Sequence, residues 1–193
     1  MMRRKNNIIR RILLIVGLCL ILGAMILLLT WQWNIHASEQ KTYEYISIIQ
    51  QIIPDPEGAT LEERRDNAMA TLSIDGTDFV GLLEFPQYGS ILPVCDDWGN
   101  PSKYPCRFSG SVYDRTMQIG GTSQKGQYDF YRDISVGDSL FFTDMEGNRY
   151  TYEVKDIRYE EDADRSTLDY EESSLTLFIK NVYAFEYIVV NCQ

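Results

Sequence analysis

Histidine is almost absent from this sequence of 193 residues, in which His36 is the only one. His36 precedes the β-rich region, so that region has no imidazole to act as a general base or to bind zinc. A Cys–His or Ser–His–Asp catalytic constellation is therefore excluded there. The sequence also has no Cys-x-x-Cys pair, no Gly-x-Gly-x-x-Gly pattern and no P-loop, which excludes the usual redox and nucleotide-binding motifs.

Acidic residues are missing before Glu39, whereas five basic residues precede a long apolar run: Arg3, Arg4, Lys5, Arg10 and Arg11. The other 13 of the 18 Lys and Arg residues stand against 28 Asp and Glu residues, which gives the rest of the chain a net charge of −15. Phosphate binding needs Lys/Arg clusters, so we expect no nucleic-acid partner and no docking on an anionic bilayer. A basic partner surface and a simply soluble acidic exterior are both compatible with this charge.

Charge is also absent from Ile12 to Trp31. At about 1.5 Å per residue, this run spans a bilayer core of about 30 Å. We therefore predict a transmembrane helix over residues 12–31, a basic cytoplasmic segment over residues 1–11, and a single-pass protein of the cell membrane whose C-terminal domain is extracytoplasmic. A cleaved signal peptide is the alternative, but its apolar core is usually shorter, and His36-Ala37-Ser38 is a poor cleavage site.

Residues 32–71 are predicted to form an extracytoplasmic helical linker. Within it, residues 42–53 carry apolar side chains at helical spacing, which predicts an amphipathic helix with one face formed by Tyr45, Ile48, Ile49 and Ile52. A second helix is predicted from the capping pattern at Thr60 to about Ala70. The two helices form either a stalk or a cover packed on the following domain.

From Leu72 onward, short β-type runs alternate with Gly, Pro and Asn turn signals. This pattern, without long intervening helices, indicates a mainly β domain over residues 72–193, either a barrel or a sandwich. The predicted strands are Phe79–Phe85, Ile91–Val94, Cys106–Phe108, Thr116–Ile119, Ser139–Thr143, Tyr150–Tyr159, Leu175–Lys180 and Tyr187–Asn191.

The cysteines of this domain leave two possibilities open. Cys95 and Cys106 are separated by 11 positions across a Gly/Pro-rich loop, and they can pair if the compartment is oxidising. The alternative is that both remain free thiols, as in many cell-surface proteins of low-redox bacteria. Cys192 is predicted to be a buried apolar residue at a strand end.

Four segments, taken in chain order, resemble the sortase family, and in particular the membrane-anchored sortases of Clostridia-type Gram-positive bacteria. They are Phe-Val-Gly-Leu-Leu-Glu-Phe-Pro with Ile-Leu-Pro-Val (79–94), Tyr-Pro-Cys-Arg-Phe-Ser-Gly-Ser (104–111), Val-Gly-Asp with Tyr-Thr-Tyr-Glu-Val (136–154), and Leu-Thr-Leu (175–177). The resemblance implies a closed eight-stranded β-barrel with short helices. It also implies transpeptidation, in which a cysteine attacks the Thr–Gly bond of an LPxTG-type sorting signal while a histidine handles protons and an arginine steadies the oxyanion.

Each position that the resemblance assigns to catalysis holds a different residue here. Thr122 stands at the histidine position, and Lys180 stands at the cysteine position. Tyr187 stands at the arginine position, or Glu186 if the register slips by one, and no arginine follows Arg165. We therefore expect no intact catalytic site.

The preferred hypothesis is a sortase-like pseudoenzyme that binds a sorting signal, a pilin or an active sortase. One alternative is an active transpeptidase or hydrolase that uses either a displaced cysteine or a hydroxyl–lysine dyad of Lys180 with Thr122 or Ser123. Another alternative is a structural envelope protein. The candidate groove residues are Arg107, Ser123 and Glu186, and Trp98 and Tyr104 can line the same groove.

Acidic residues crowd the loop before the strand of Lys180. In some sortases a carboxylate-bearing loop near this place binds Ca²⁺, so Glu161, Asp162 and Asp164 are weak candidate ligands. A solvated acidic loop without metal is favoured, and no other cofactor is expected.

Overall fold

The computed structural model describes residues 2–54, 68–96, 98, 99, 101, 103–161 and 173–193; in its helix, the side chains described are those of residues 15–30 and 40 onward. The chain forms two compact units, Met1–Gln40 and Lys41–Gln193. A single helix, α1 (Met2–Ile52), replaces the two helices predicted over residues 12–31 and 42–53. Within the described residues, we find no helical stretch of the length and hydropathy that crossing a bilayer requires, so the predicted span is without support there.

In the second unit, the last turns of α1 pack on the outside of the sheet. The buried stripe consists of Thr42, Tyr45, Ile46 and Ile49, which follow the i, i+3, i+4, i+7 spacing of one helix face. Ile52 was predicted to belong to this face, but it is 54% exposed, and the next residue, Ile53, packs against the buried cluster instead. Of the two possibilities for the linker, this segment is a cover. Most of the helix predicted over residues 60–70 lies outside the described residues, and residues 68–70 are not helical.

Nine strands follow among the described residues. All eight predicted strands are present, one of them (Leu175–Lys180) with the predicted ends and the other seven with shifted ends. The nine are β1 (Leu72–Ile74), β2 (Thr77–Phe85), β3 (Ser90–Cys95), β4 (Cys106–Ser109), β5 (Met117–Thr122), β6 (Ser139–Asp144), β7 (Arg149–Glu160), β8 (Leu175–Lys180) and β9 (Tyr187–Cys192). β1 was not predicted. It forms a tight hairpin with β2 through Asp75 and Gly76, which both have positive φ.

The sheet closes on itself. Its strand order is β1-β2-β3-β4-β5-β8-β9-β7-β6, and β6 pairs again with β2. Strands β2 to β9 therefore form the closed eight-stranded barrel that the resemblance implied. The pairs β3–β4 and β5–β8 are parallel, and the other pairs are antiparallel.

Strands β3 and β4 form the shortest pairing among the described strands. They share one register pair, Cys95 with Cys106, and these two residues form a disulfide. The Cys95 N–H donates to the carbonyl of Pro105 at 2.9 Å. Asp96, directly after β3, forms an ion pair with Arg107 of β4. A covalent bond and an ion pair thus hold the place where the backbone ladder is thinnest, and we call this place the β3–β4 seam.

Candidate functional site

The middle of the sheet, made of β5, β8 and β9, has one face in the core and one face outside. Alternating residues of the three strands belong to the main buried cluster, among them Ile119, Leu177 and Val190. Because side chains alternate along a strand, the residues between them lie on the other face, and their register aligns them in three rungs across the strands. From one end of the face to the other, the rungs are Gln118–Thr176–Asn191, Gly120–Phe178–Val189 and Thr122–Lys180–Tyr187. We call these nine residues the outer face and the last three the terminal rung.

The terminal rung contains the three residues that stand at the catalytic positions implied by the resemblance. Lys180 pairs with Thr122 on one side and with Tyr187 on the other. Neighbouring strands lie about 4.8 Å apart, so the rung spans roughly 10 Å. Thr122 is buried, Tyr187 is half-buried, and Lys180 is exposed. Three positions that are distant in the sequence are therefore adjacent in the barrel.

Thr122 has a backbone that is fully engaged and a hydroxyl that is not. Its N–H donates to Oε1 of Gln127 at 2.9 Å, and its carbonyl accepts from the N–H of Tyr128 at 3.2 Å. Its Oγ1 is buried and has no hydrogen-bond partner among the described residues. Leaving a buried polar group unpaired costs about 1–3 kcal/mol, so such an atom calls for a functional explanation.

The loop from Asn181 to Glu186 is held in place beside Lys180. Asn181 donates its N–H to the Glu186 carbonyl at 3.0 Å and its Nδ2 to Glu186 Oε1 at 2.8 Å. Ser123 donates its N–H to the Lys180 carbonyl at 3.0 Å, and its Oγ accepts from the N–H of Val182 at 3.0 Å. Ser123 and Glu186, two candidate groove residues, therefore lie next to the terminal rung, where they order this loop.

An aromatic cluster covers the middle rung. The ring of Trp98 lies 5.2 Å from that of Phe178 and 5.1 Å from that of Phe108, between centroids. Gly120 lies beneath them, since a Cβ placed there would come within 2.3–2.4 Å of ring atoms of Phe178 and Trp98. Trp98 and Phe108 remain partly exposed. The centre of the outer face is thus apolar and aromatic, and the terminal rung beside it is polar.

Arg107, the third candidate groove residue, is committed to the β3–β4 seam. Its Nε donates to Asp96 Oδ1 at 2.8 Å, and its Nη1 donates to the Gly110 carbonyl at 2.8 Å. The guanidinium therefore joins two strand ends and is not at the position of an oxyanion donor. Tyr104, also considered for the groove, instead packs in the second buried cluster with Tyr45 and Phe79.

The thiols of the second unit are not arranged as nucleophiles. Cys95 and Cys106 are joined in the disulfide. Cys192 is buried, as predicted, and burial raises the pKa of its thiol far above the ordinary value. Lys180 is exposed, whereas a lysine that acts as a base is desolvated. The displaced-cysteine and dyad alternatives gain no support from these environments.

Of the candidate Ca²⁺ ligands, Glu161 is exposed, and Asp162 and Asp164 lie outside the described residues. Among the described residues, no three His, Cys, Asp or Glu side chains are grouped so that they can hold a metal ion.

The unpaired hydroxyl of Thr122 and the aromatic cover could not be predicted from the sequence alone, because both depend on which strands are neighbours. The sequence signal that was available is the pair of adjacent glycines at positions 120 and 121, which indicates close packing on both faces of the strand. A Cβ at Gly120 would meet the aromatic cover, and one at Gly121 would come within 2.7 Å of Tyr128 on the core side.

No protein-family model matches the sequence, and no curated protein matches it either. Solved structures do match. Sortase C1 from Streptococcus agalactiae is similar with a TM-score of 0.54 at 18% identity, over 84% of this chain and 88% of that one. Sortase C-1 from Actinomyces oris has a TM-score of 0.50 at 16% identity, over 60% and 73% of the two chains. Sortase C from Clostridium perfringens, solved with the C-terminal cell wall sorting motif, has a TM-score of 0.50 at 14% identity, over 60% and 69%.

Proposed function

We propose, from the sortase-like fold of this domain, that the chain is a non-catalytic binding module that holds a sorting-type peptide segment on the outer face. The segment belongs to a sorting signal, to a pilin or to a surface protein that an active sortase processes. The observation that carries the proposal is the terminal rung. It brings together Thr122, Lys180 and Tyr187, and none of them supplies a thiolate, an imidazole or a guanidinium.

The argument for lost catalysis depends on adjacency. A single mismatch with the family pattern is explained by a wrong alignment. A wrong alignment does not explain three mismatches on neighbouring strands of one rung. If the alignment of one strand were shifted by one residue, the residue assigned to the catalytic position would lie on the core face. The β-domain also has no histidine, and Arg158 is the last arginine of the described residues. The terminal rung therefore supplies neither a histidine as general base nor an arginine as oxyanion donor, which supports a non-catalytic role.

The argument for binding depends on the centre of the outer face. Partly exposed Trp98 and Phe108 form an apolar surface next to a polar rung, which is the composition of sites that bind peptides and small ligands. The Clostridium perfringens sortase C was solved with a sorting motif on the same fold. This comparison supports a sorting-type peptide as the ligand of this chain.

We further propose that the chain is anchored in the cell membrane with the barrel outside the cytoplasm. Two observations support this. The apolar side chains of α1 between Ile15 and Leu29 are exposed, and a bilayer would cover such a surface. The basic residues lie on the N-terminal side of the run, as in helices whose N-terminus is cytoplasmic.

The test uses the full chain in detergent micelles and a fluorescent peptide with an LPxTG-type sequence. We expect saturable binding by fluorescence anisotropy and no binding of a scrambled peptide. Mass spectrometry of the same mixtures, with an added amine, should show intact peptide after prolonged incubation. Absence of binding would favour a structural envelope protein, and cleavage of the peptide would favour an active enzyme.

A further inference from the structure

We propose that the terminal rung is a carboxylate-binding site, so that the preferred ligand is a peptide that ends at a free carboxylate beside Lys180. The inference rests on the proposed function and names its ligand class. It means that the module binds a sorting-type peptide more tightly after cleavage than in the uncleaved chain.

The rung presents donors in a row. The Lys180 ammonium can only donate, and the Thr122 and Tyr187 hydroxyls each carry one O–H donor. A carboxylate has two acceptor oxygens and no donor, and hydrogen bonds between charged groups are the strong ones. With strands about 4.8 Å apart, a carboxylate at Lys180 has one hydroxyl-bearing residue on either side.

In the part of the chain that the structure describes, Lys180 has no acidic partner. Among the described residues, the ion pairs involve other side chains, and no carboxylate lies within ion-pair distance of Lys180. Glu186 is the acidic residue that the loop brings near the rung, and its Oε1 accepts from Asn181. The cation of the rung is thus available for an anion from outside.

Thr122 gives an independent indication of a ligand. Its residue is 7% exposed, and its Oγ1 has no partner among the residues that the structure describes, although its own N–H and carbonyl are both hydrogen-bonded. A bound acceptor would satisfy this hydroxyl. Because Thr122 and Lys180 are register partners on one face, a carboxylate held by Lys180 would lie beside Thr122, and the buried Oγ1 would contact it once the groups that cover this hydroxyl move aside.

The place of the rung favours a chain end. Thr122 and Lys180 are the last residues of β5 and β8, and Tyr187 is the first residue of β9. Beyond them lies the ordered loop from Asn181 to Glu186. A peptide that lies along the outer face therefore reaches the edge of the sheet at this rung.

The experiment compares three fluorescent peptides of the same sorting-type sequence on the full chain in detergent micelles. The first ends after the threonine with a free carboxylate, and the second ends there with an amide. The third also has an amidated C-terminus but carries its carboxylate on the side chain of a glutamate. We expect the first peptide to bind at least about tenfold tighter than the second, which corresponds to about 1.4 kcal/mol. Raising the ionic strength should reduce this preference.

Three variants distinguish carboxylate binding at the terminal rung from a general attraction of the peptide to positive charge. Lys180→Met should remove the preference for the acid and leave the affinity for the amide unchanged. Lys155→Met is the control for the loss of a lysine elsewhere on the sheet. Lys155 is exposed on β7, where it forms an ion pair with Glu153. Its neighbour Val154 pairs with Cys192, at the far end of β9 from Tyr187. Thr122→Val should weaken binding of the acid several-fold without lowering the stability of the free protein, since it removes an unpaired hydroxyl.

Equal affinity for the acid and the amide would overturn the inference and leave the proposed function intact. Absence of binding to every peptide would overturn the proposed function itself. If the glutamate peptide binds as tightly as the free acid, the carboxylate chemistry stands, and the assignment to a chain end is overturned.

Discussion

Thr122 and Lys180 are register partners across the parallel strands β5 and β8. They are 58 positions apart in the chain, yet their side chains lie on the same face at the end of the two strands. Because Tyr187 continues the same rung on β9, a change at any of the three positions alters the surroundings of Lys180.

The β3–β4 seam should depend on its disulfide. Replacing Cys95 and Cys106 together by alanine should lower the free energy of unfolding by about 2–4 kcal/mol, because the bond restricts the unfolded chain and closes the shortest pairing of the barrel. Urea denaturation followed by circular dichroism measures the change. Reductant should lower the urea midpoint of the wild type and leave that of the double variant unaffected. If neither reductant nor the double substitution changes the urea midpoint, the disulfide at the seam is contradicted.

Cys192 should be inert in the native protein. Burial raises the pKa of its thiol, so little thiolate exists at pH 8, and reagents cannot reach the sulfur. In a Cys19→Ala background, a thiol-specific chromogenic reagent should detect no thiol in the native state, one in guanidinium, and three after reduction of the unfolded chain. A thiol that reacts quickly in the native state would revive the displaced-cysteine alternative.

The fold was predictable from the sequence to the extent that it depends on local patterns. Alternating runs and turn residues located eight strands, and the order of short motifs indicated the closed barrel. The predicted strand Thr116–Ile119 ends too early. Gly120 and Gly121 are typical strand breakers, but here their missing side chains admit Trp98 and Phe178 on one face and Tyr128 on the other, so β5 continues to Thr122.

The candidate site was predictable as a set of positions, not as an arrangement. The motifs identified Thr122, Lys180 and Tyr187 one at a time. Their contact depends on the parallel pairing of β5 with β8, which no local pattern specifies. Arg107 was predicted to line the groove, but Asp96 and the Gly110 carbonyl hold its guanidinium at the seam.

A side chain at position 120 should destabilise the protein. In Gly120→Ala the new methyl group would meet Phe178 and Trp98, and Trp98 should move first because it is partly exposed. We expect a loss of about 1–3 kcal/mol and a red shift of tryptophan emission, measured in a Trp31→Phe/Trp33→Phe background where Trp98 is the only tryptophan. Gly121→Ala, which clashes with Tyr128 on the core side, should destabilise the protein without this shift. Unchanged emission in Gly120→Ala would contradict the aromatic cover.

Stability should fall in alkaline solution partly through Tyr88. Burial, followed by the hydrogen bond to Asp138, raises the pKa of Tyr88 to about 12. The phenol of an unfolded chain ionises at about pH 10. The contribution of Tyr88 to the free energy of unfolding is therefore complete below pH 10 and is lost as the pH rises toward 12, because only the unfolded state releases the proton in that window. The urea midpoint, measured from pH 8 to 11.5, should decline less steeply in Tyr88→Phe than in the wild type. Tyr183→Phe, at an exposed position, is the control for the loss of a phenol.

The terminal rung can be tested without reference to any ligand. In a Cys19→Ala background, Lys180→Cys places a reactive thiol at the centre of the rung, and its pKa is read from the pH dependence of the rate at which iodoacetamide alkylates it. Adding Tyr187→Arg should lower that pKa, and adding Tyr187→Glu should raise it, each by about half a unit to one unit, as expected for charges about 5 Å apart in a surface environment. Opposite shifts of similar size require that positions 180 and 187 face each other. If neither charge moves the pKa, the two side chains are not neighbours, and the argument that catalysis was lost at one shared site fails with them.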